Sequence, residues 1–157
     1  MKAMKAIAAR KEKGFTLIEL VMVIVILGIL AAFALPRFAD LGNEARTATV
    51  EGAAGAVKSA ASIAHAQWLA DGNSATSVDL DGVTVAMSTE GYPDSVAATA
   101  TPSGITAAAQ IDANDFTFDE STGVFTVTGF TPATGTQCQF TYDETTGRVT
   151  SIQTGGC

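Results

Sequence analysis

The sequence predicts an α+β fold, a long N-terminal α-helix packed against a C-terminal antiparallel β-sheet of about four strands. Three observations predict it. Residues 15–35 read FTLIELVMVIVILGILAAFAL, with only Thr16 and Glu19 polar. Residues 37–70 are Ala-rich, contain no proline and repeat apolar positions with a helical period. Residues 115–157 hold a doubled strand–turn–strand pattern rich in Phe, Thr and Val.

Size and charge narrow the options before any motif is used. The 157 residues are enough for one domain with a real core, not two. Hydrophobic residues make up 47 % and aromatics 7 %, so small residues carry the apolar content. Charged residues reach 16 %, below the roughly 25 % of soluble domains, and mean hydropathy is +0.28. Neither an ordinary cytosolic enzyme nor a disordered chain has this balance. A net charge of −7 speaks against a general nucleic-acid binder. The charge is also segregated. Residues 1–14 carry +4, from Lys2, Lys5, Arg10, Lys11 and Lys13 against Glu12, and residues 15–157 carry −11.

The apolar run is long enough to span a bilayer as a helix. Basic residues stand before it and none within it, so residues 1–14 are expected on the cytoplasmic side. A cleaved secretory signal would have a shorter apolar core and a small-residue cleavage site. Leu35-Pro36-Arg37-Phe38 is a poor site of that kind, so a retained anchor fits better. Glu19 is the odd residue, because an ionised group deep in such a segment costs about 2.5–3.5 kcal/mol. One reading places it near the interface, reaching headgroups. The other needs a cation, and the segment has none. Cleavage after Gly14 would create one, the new α-amine of Phe15, one turn from Glu19 on its own chain or a neighbour's.

Lys13-Gly14-Phe15-Thr16-Leu17-Ile18-Glu19 resembles the processing site of type IV prepilins. The resemblance implies a pilin-like fold, cleavage between Gly14 and Phe15 by a prepilin peptidase, and N-methylation of Phe15. It also implies retention of the apolar segment as filament core, with Glu19 as the carboxylate that sets register. Gly28 and Pro36 sit where pilins carry helix-weakening residues. Pro36 lacks a backbone donor and crowds the preceding turn at Ala32, so a kink or melted stretch is expected between Gly28 and Pro36, at least in a filament.

The helix continues over residues 37–70. Its apolar stripe is read as Phe38, Leu41, Ala45, Ala48, Ala53, Val57, Ala60, Ala64 and Trp68, with Asp71-Gly72-Asn73 as the stop. His65 is the single histidine and is read as lying at the edge of a helix–sheet interface, and Trp68 is read as a core anchor. Five segments follow: a basic leader over 1–14, a membrane and filament-core helix over 15–36, an amphipathic helix over 37–70, a variable loop region over 71–114, and the sheet with its C-terminal region over 115–157.

Within 71–114, Val78-Asp79-Leu80 and Val83-Thr84-Val85 flank Asp81-Gly82 as a short hairpin, and part of 94–114 is a candidate short helix. Phe116-Thr117-Phe118-Asp119-Glu120-Ser121-Thr122-Gly123 is then repeated as Phe140-Thr141-Tyr142-Asp143-Glu144-Thr145-Thr146-Gly147. Each copy is followed by a return strand, and Phe116, Phe118, Phe125, Val127, Phe140 and Tyr142 are expected to face the helix. Cys138 and Cys157 are the only cysteines. Outside the membrane they are expected to form a disulfide, with a chain-entropy benefit on the order of 3 kcal/mol; two free thiols are the alternative. Type IV pilins end in such a disulfide-bounded region. The acidic residues of the hairpin loops do not match a calcium-binding loop and read as solvated turns. No catalytic set, metal site or cofactor site is visible, so the chain is not expected to be an enzyme.

Over residues 15–70 the pattern is most similar to the mannose-sensitive haemagglutinin type of type IVa pilin. That similarity rests on Val23-Ile24-Val25-Ile26-Leu27-Gly28, Pro36-Arg37-Phe38 and Glu44-Ala45-Arg46, with Gly91-Tyr92-Pro93 and the cysteine pair. It implies a structural subunit of surface filaments used in adhesion, surface attachment and biofilm formation. The implied partners are other subunits, the prepilin peptidase and methyltransferase, an inner-membrane assembly platform and a host or environmental surface ligand. The implied location is the inner membrane before assembly and the extracellular pilus after it. A type II secretion pseudopilin, a minor or competence pilin, and a membrane-anchored periplasmic enzyme are the alternatives. With four basic residues beyond the leader, contact with nucleic acid is not expected.

Overall fold

A computed structural model describes residues 14–96, 100 and 103–157. Residues 1–13, with the basic residues of the expected leader, lie outside this range. The chain divides between Asp40 and Leu41 into two units. Helix α1, Leu17–Ala70, supplies residues to both. In the first unit its backbone stays helical through Gly28 and Pro36, so the expected melted stretch is not a feature of the single chain.

The second unit is built on the C-terminal half of α1. The helix ends as the stop residues require. Asp71, Gly72 and Asn73 return their amides to Gln67, Leu69 and Trp68, and Gly72 and Asn73 take positive φ of 95° and 64°. A hairpin follows, β1 Ser77–Leu80 and β2 Val83–Ala86. Its two-residue turn, Asp81-Gly82, has positive φ at both positions, the twist-compatible form. One turn of helix, α2 Ile105–Ala108, lies between β2 and the strands that follow.

Four strands then form an antiparallel sheet in chain order: β3 Phe116–Asp119, β4 Val124–Val127, β5 Gln139–Asp143 and β6 Arg148–Gln153. Register pairs Phe116 with Val127, Phe118 with Phe125, and Phe125 with Phe140, which places these side chains on one face. That face meets α1. Val50, Ala53, Ala54, Val57, Ala60 and Ala61 are buried against Ile105, Phe116, Phe125, Phe140 and Tyr142. The pairing is complementary in size. Alanines let the sheet approach closely, and large rings fill the space they leave. Phe125 and Phe140 stack at 4.6 Å, and Phe118 tilts onto Phe125 at 4.4 Å.

The helix stripe needs correction. Leu41, Ala45 and Ala48 are exposed, and Val50, Ala54 and Ala61 take the buried places instead. The core starts at Val50 because the sheet and α2 cover only the turns beyond it. Phe118 and Val127 lie half-buried against the same core, on the sheet face that meets the helix.

A smaller cluster joins Ala64 to Val78, Val85 and Met87, with Trp68 and Leu80 packed beside it. Trp68 donates its indole N–H to Ala75 O at 2.9 Å, consistent with an anchoring role. His65 lies between Trp68 and Tyr92, stacking on Tyr92 at 4.3 Å, and its Nδ1 is 2.7 Å from Gly91 O. Its neighbour is therefore the 88–93 loop, not the sheet. Gly91 has φ +79° and lies flat on the Trp68 ring, where a Cβ would stand 2.3 Å from Cε3.

Candidate functional site

The residues singled out from the sequence fall into two groups, the head of α1 and the cysteine pair. Gly14 is exposed, non-helical, and has no heavy atom within 4 Å of where a side chain would begin. Phe15 is 94 % exposed. Among the described residues, none covers the Gly14–Phe15 peptide bond.

Helix α1 starts two residues later, and its start is built by Thr16 and Glu19. The Thr16 amide donates to Glu19 Oε2 at 2.9 Å, and the Glu19 amide donates back to Thr16 Oγ1 at 3.3 Å. The Thr16 hydroxyl donates to the same carboxylate oxygen at 2.8 Å. This is a capping box, in which the first and fourth residues satisfy each other's free amides. The negative charge also sits at the positive end of the helix dipole. Thr16-x-x-Glu19 is a readable signal for it, which the reading of Glu19 as an isolated acid overlooked. The carboxylate is held one peptide unit from the Phe15 nitrogen, which would become an amine on cleavage.

Over its apolar stretch the helix is not covered by any of the described residues. Leu17–Leu35 is 19 residues with mean hydropathy 2.9, and none of it is buried. At 1.5 Å per residue it is about 28 Å long, close to the hydrocarbon thickness of a bilayer. Leu17, Ile18, Leu20, Leu27, Leu30 and Phe33 are all more than half exposed. Such a surface on all sides of a helix requires lipid or other apolar helices around it. Gly28 has open space around it on this stretch.

At the other end of the chain, Cys138 and Cys157 are joined, with an S–S length of 2.14 Å and Cα atoms 4.8 Å apart. The bridge closes a loop containing β5 and β6, and both cysteines are buried in the main core.

The acidic turns spend their carboxylates locally. Asp119 Oδ1 accepts from the Ser121 amide at 2.9 Å and hydroxyl at 2.6 Å. Asp143 Oδ1 does the same with Thr145, at 2.9 and 2.6 Å. These bonds, the hydroxyl ones first, hold both carboxyls below the usual range. Asp94 is pushed the other way, by burial first and then by Glu144 and Glu90. Among the described residues no group of three or more His, Cys, Asp or Glu side chains is placed to hold a metal ion.

Residues 9–35 match the family model described as the prokaryotic N-terminal methylation motif. Over 57 residues the chain is 58 % identical to the type IV narrow pilus major component PilA5 of Thermus thermophilus, covering 36 % of this chain and 49 % of that protein. It is 53 % identical over 49 residues to the type IV major alpha-pilin of Moraxella bovis, 31 % of each chain. It is 42 % identical over 77 residues to a fimbrial protein of Neisseria meningitidis, 45 % of each chain. The matched part spans about half or less of these curated relatives. No solved structure matches the chain.

Proposed function

We propose that this chain is a structural subunit of a type IV pilus, processed between Gly14 and Phe15 and polymerised through the Leu17–Leu35 segment. One observation carries the reading: a fully uncovered apolar helix whose only acid, Glu19, is held at its head beside the residue that cleavage would convert to an amine. The methylation motif and the similarity to pilus subunits support it. Before assembly, lipid of the inner membrane covers the segment. In the filament, copies of the same segment cover one another. Glu19 then needs a cation, because a buried charge without a partner is strongly destabilising. The methylated Phe15 amine of a neighbouring subunit supplies it, so the pair selects register. Gly28 and Pro36 are the positions at which α1 would yield when subunits pack.

The partners in this reading are other subunits, the prepilin peptidase and methyltransferase, and an inner-membrane assembly platform. The filament serves adhesion, surface attachment and biofilm formation, as the resemblance to the mannose-sensitive haemagglutinin type suggests. The test is microscopy of shear-released filaments with mass spectrometry of their subunit. Surface filaments whose subunit begins at N-methyl-Phe15 are expected. Short periplasmic assemblies would favour a pseudopilin, and a subunit retaining residues 1–14 would refute the proposal.

A further inference from the structure

Residues 41–49 of α1, LGNEARTAT, are poorly suited to being a helix on their own. Gly42 is costly in a helix interior, and Asn43, Thr47 and Thr49 have low propensity. The Thr49 hydroxyl bonds back to Ala45 O at 2.9 Å, which weakens a helix further. Tertiary packing does not make up the deficit. Leu41, Asn43, Glu44, Ala45, Ala48 and Thr49 are exposed, and the buried side of the helix begins at Val50.

Arg46 is the exception. Its Nε donates to the Cys157 carbonyl at 2.7 Å, Nη2 donates to Asn43 Oδ1 at 3.2 Å, and Cζ lies 4.0 Å above the centre of the Phe130 ring. One guanidinium therefore touches α1, the loop before β5 and the end of the disulfide-closed loop. The acceptor is itself held in place. Cys157 is tied to Cys138, its amide donates to Thr154 O at 3.0 Å, and the adjacent Gly156 amide donates to Gln137 O at 2.9 Å.

We infer that closure of the Cys138–Cys157 loop is transmitted to the α1 turns at residues 41–49 through Arg46. With the bridge formed, the Cys157 carbonyl stands where the guanidinium can bond to it while lying on Phe130. With the loop open, that carbonyl is free to leave, and these turns lose their main tertiary tether. Only an arginine meets the geometry. Its planar fork donates sideways through Nε while presenting its face to a ring, and a lysine ammonium cannot do both. The coupling belongs to the chain's own fold and holds whether or not the chain polymerises.

The test is amide hydrogen exchange on the full-length chain in detergent, comparing wild type, Arg46→Gln, Arg46→Lys, Cys138→Ser/Cys157→Ser, and the triple variant with Arg46→Gln. Amides of residues 44–49 are expected to exchange about tenfold faster in Arg46→Gln, the size of one lost charge-assisted hydrogen bond. Arg46→Lys should behave in the same way. Opening the loop should accelerate the same amides when Arg46 is present and add little when it is absent. Protection of residues 57–64 reports whether each variant has kept its core. Unchanged exchange at 44–49 in Arg46→Gln, which retains the bridge, would overturn the inference. So would an equal acceleration by loop opening with and without Arg46.

Discussion

Glu19→Gln separates the two tasks of the carboxylate, the observed helix cap and the proposed pairing in a filament. A glutamine oxygen can still accept the Thr16 amide, since Gln serves in capping boxes as Glu does, so the head of α1 stays closed. Glu19→Ala loses the cap as well, at about 1 kcal/mol. The charge is the larger quantity. Under the proposed function, both variants leave the Phe15 ammonium without its carboxylate when helices pack. An uncompensated buried charge costs about 3–5 kcal/mol, or about a hundredfold or more in the packing equilibrium. The assay is the yield of sheared filaments relative to the membrane-inserted pool, in cells expressing each variant at equal level. Glutamine and alanine should both abolish filaments while leaving insertion intact. Wild-type filament yield from Glu19→Gln, with Glu19→Ala deficient, would show that the cap matters and the charge does not.

Gly91→Ala combines a left-handed φ of +79° with a Cβ 2.3 Å from the Trp68 ring, which is pinned by its bond to Ala75. It should cost about 2–5 kcal/mol, while Gly129→Ala, at φ +72° in open space, should cost about 1–2; thermal unfolding followed by the fluorescence of the single tryptophan compares them, and equal losses would remove the ring contact from the account. Asp119 and Asp143 have depressed carboxyl pKa values, so the stability they contribute is present above the unfolded value of about 3.9 and is lost as pH falls through their folded values. Asp119→Ala should therefore lower Tm at pH 7 and converge with wild type in acid. Asp94 has a raised folded value, so its ionisation removes stability as pH rises from about 3.9 through that value. Asp94→Asn should raise Tm at pH 7, with a gain that shrinks toward pH 4, and a Tm unchanged at both pH values would argue against the burial and the repulsion from Glu144 and Glu90 that raise it.

Much of this fold could be read directly from local pattern. The Asp81-Gly82 turn, the stop at Asp71-Gly72-Asn73 and the two copies of the Phe116 and Phe140 motif each sit where their residue types dictate, because turn chemistry and strand alternation are local properties. The buried side of α1 was harder to read. Ala45 and Ala48 fit a helical stripe as well as Ala54 and Ala61 do, since an Ala-rich helix is weakly apolar all round. The position of the sheet's rings, more than fifty residues away, decides which side is covered. The same reason hid Arg46 and the seating of His65 on the 88–93 loop, as both depend on segments distant in the chain. At the head of α1 the opposite held. Thr16 and Glu19 are three residues apart, and their pairing was available from spacing alone.

The order of strands in the sheet has a kinetic corollary. Each of β4 to β6 lies beside its immediate predecessor in the chain, so the sheet can grow by closing one antiparallel connection after another, and no strand must wait for a remote mate. The buried side of α1 is made earlier and has no such luxury, since Val50 and Val57 stay wet until those hairpins arrive. The C-terminal strands are therefore what dries that side of the helix, and the sulfur–sulfur link ties down their far end.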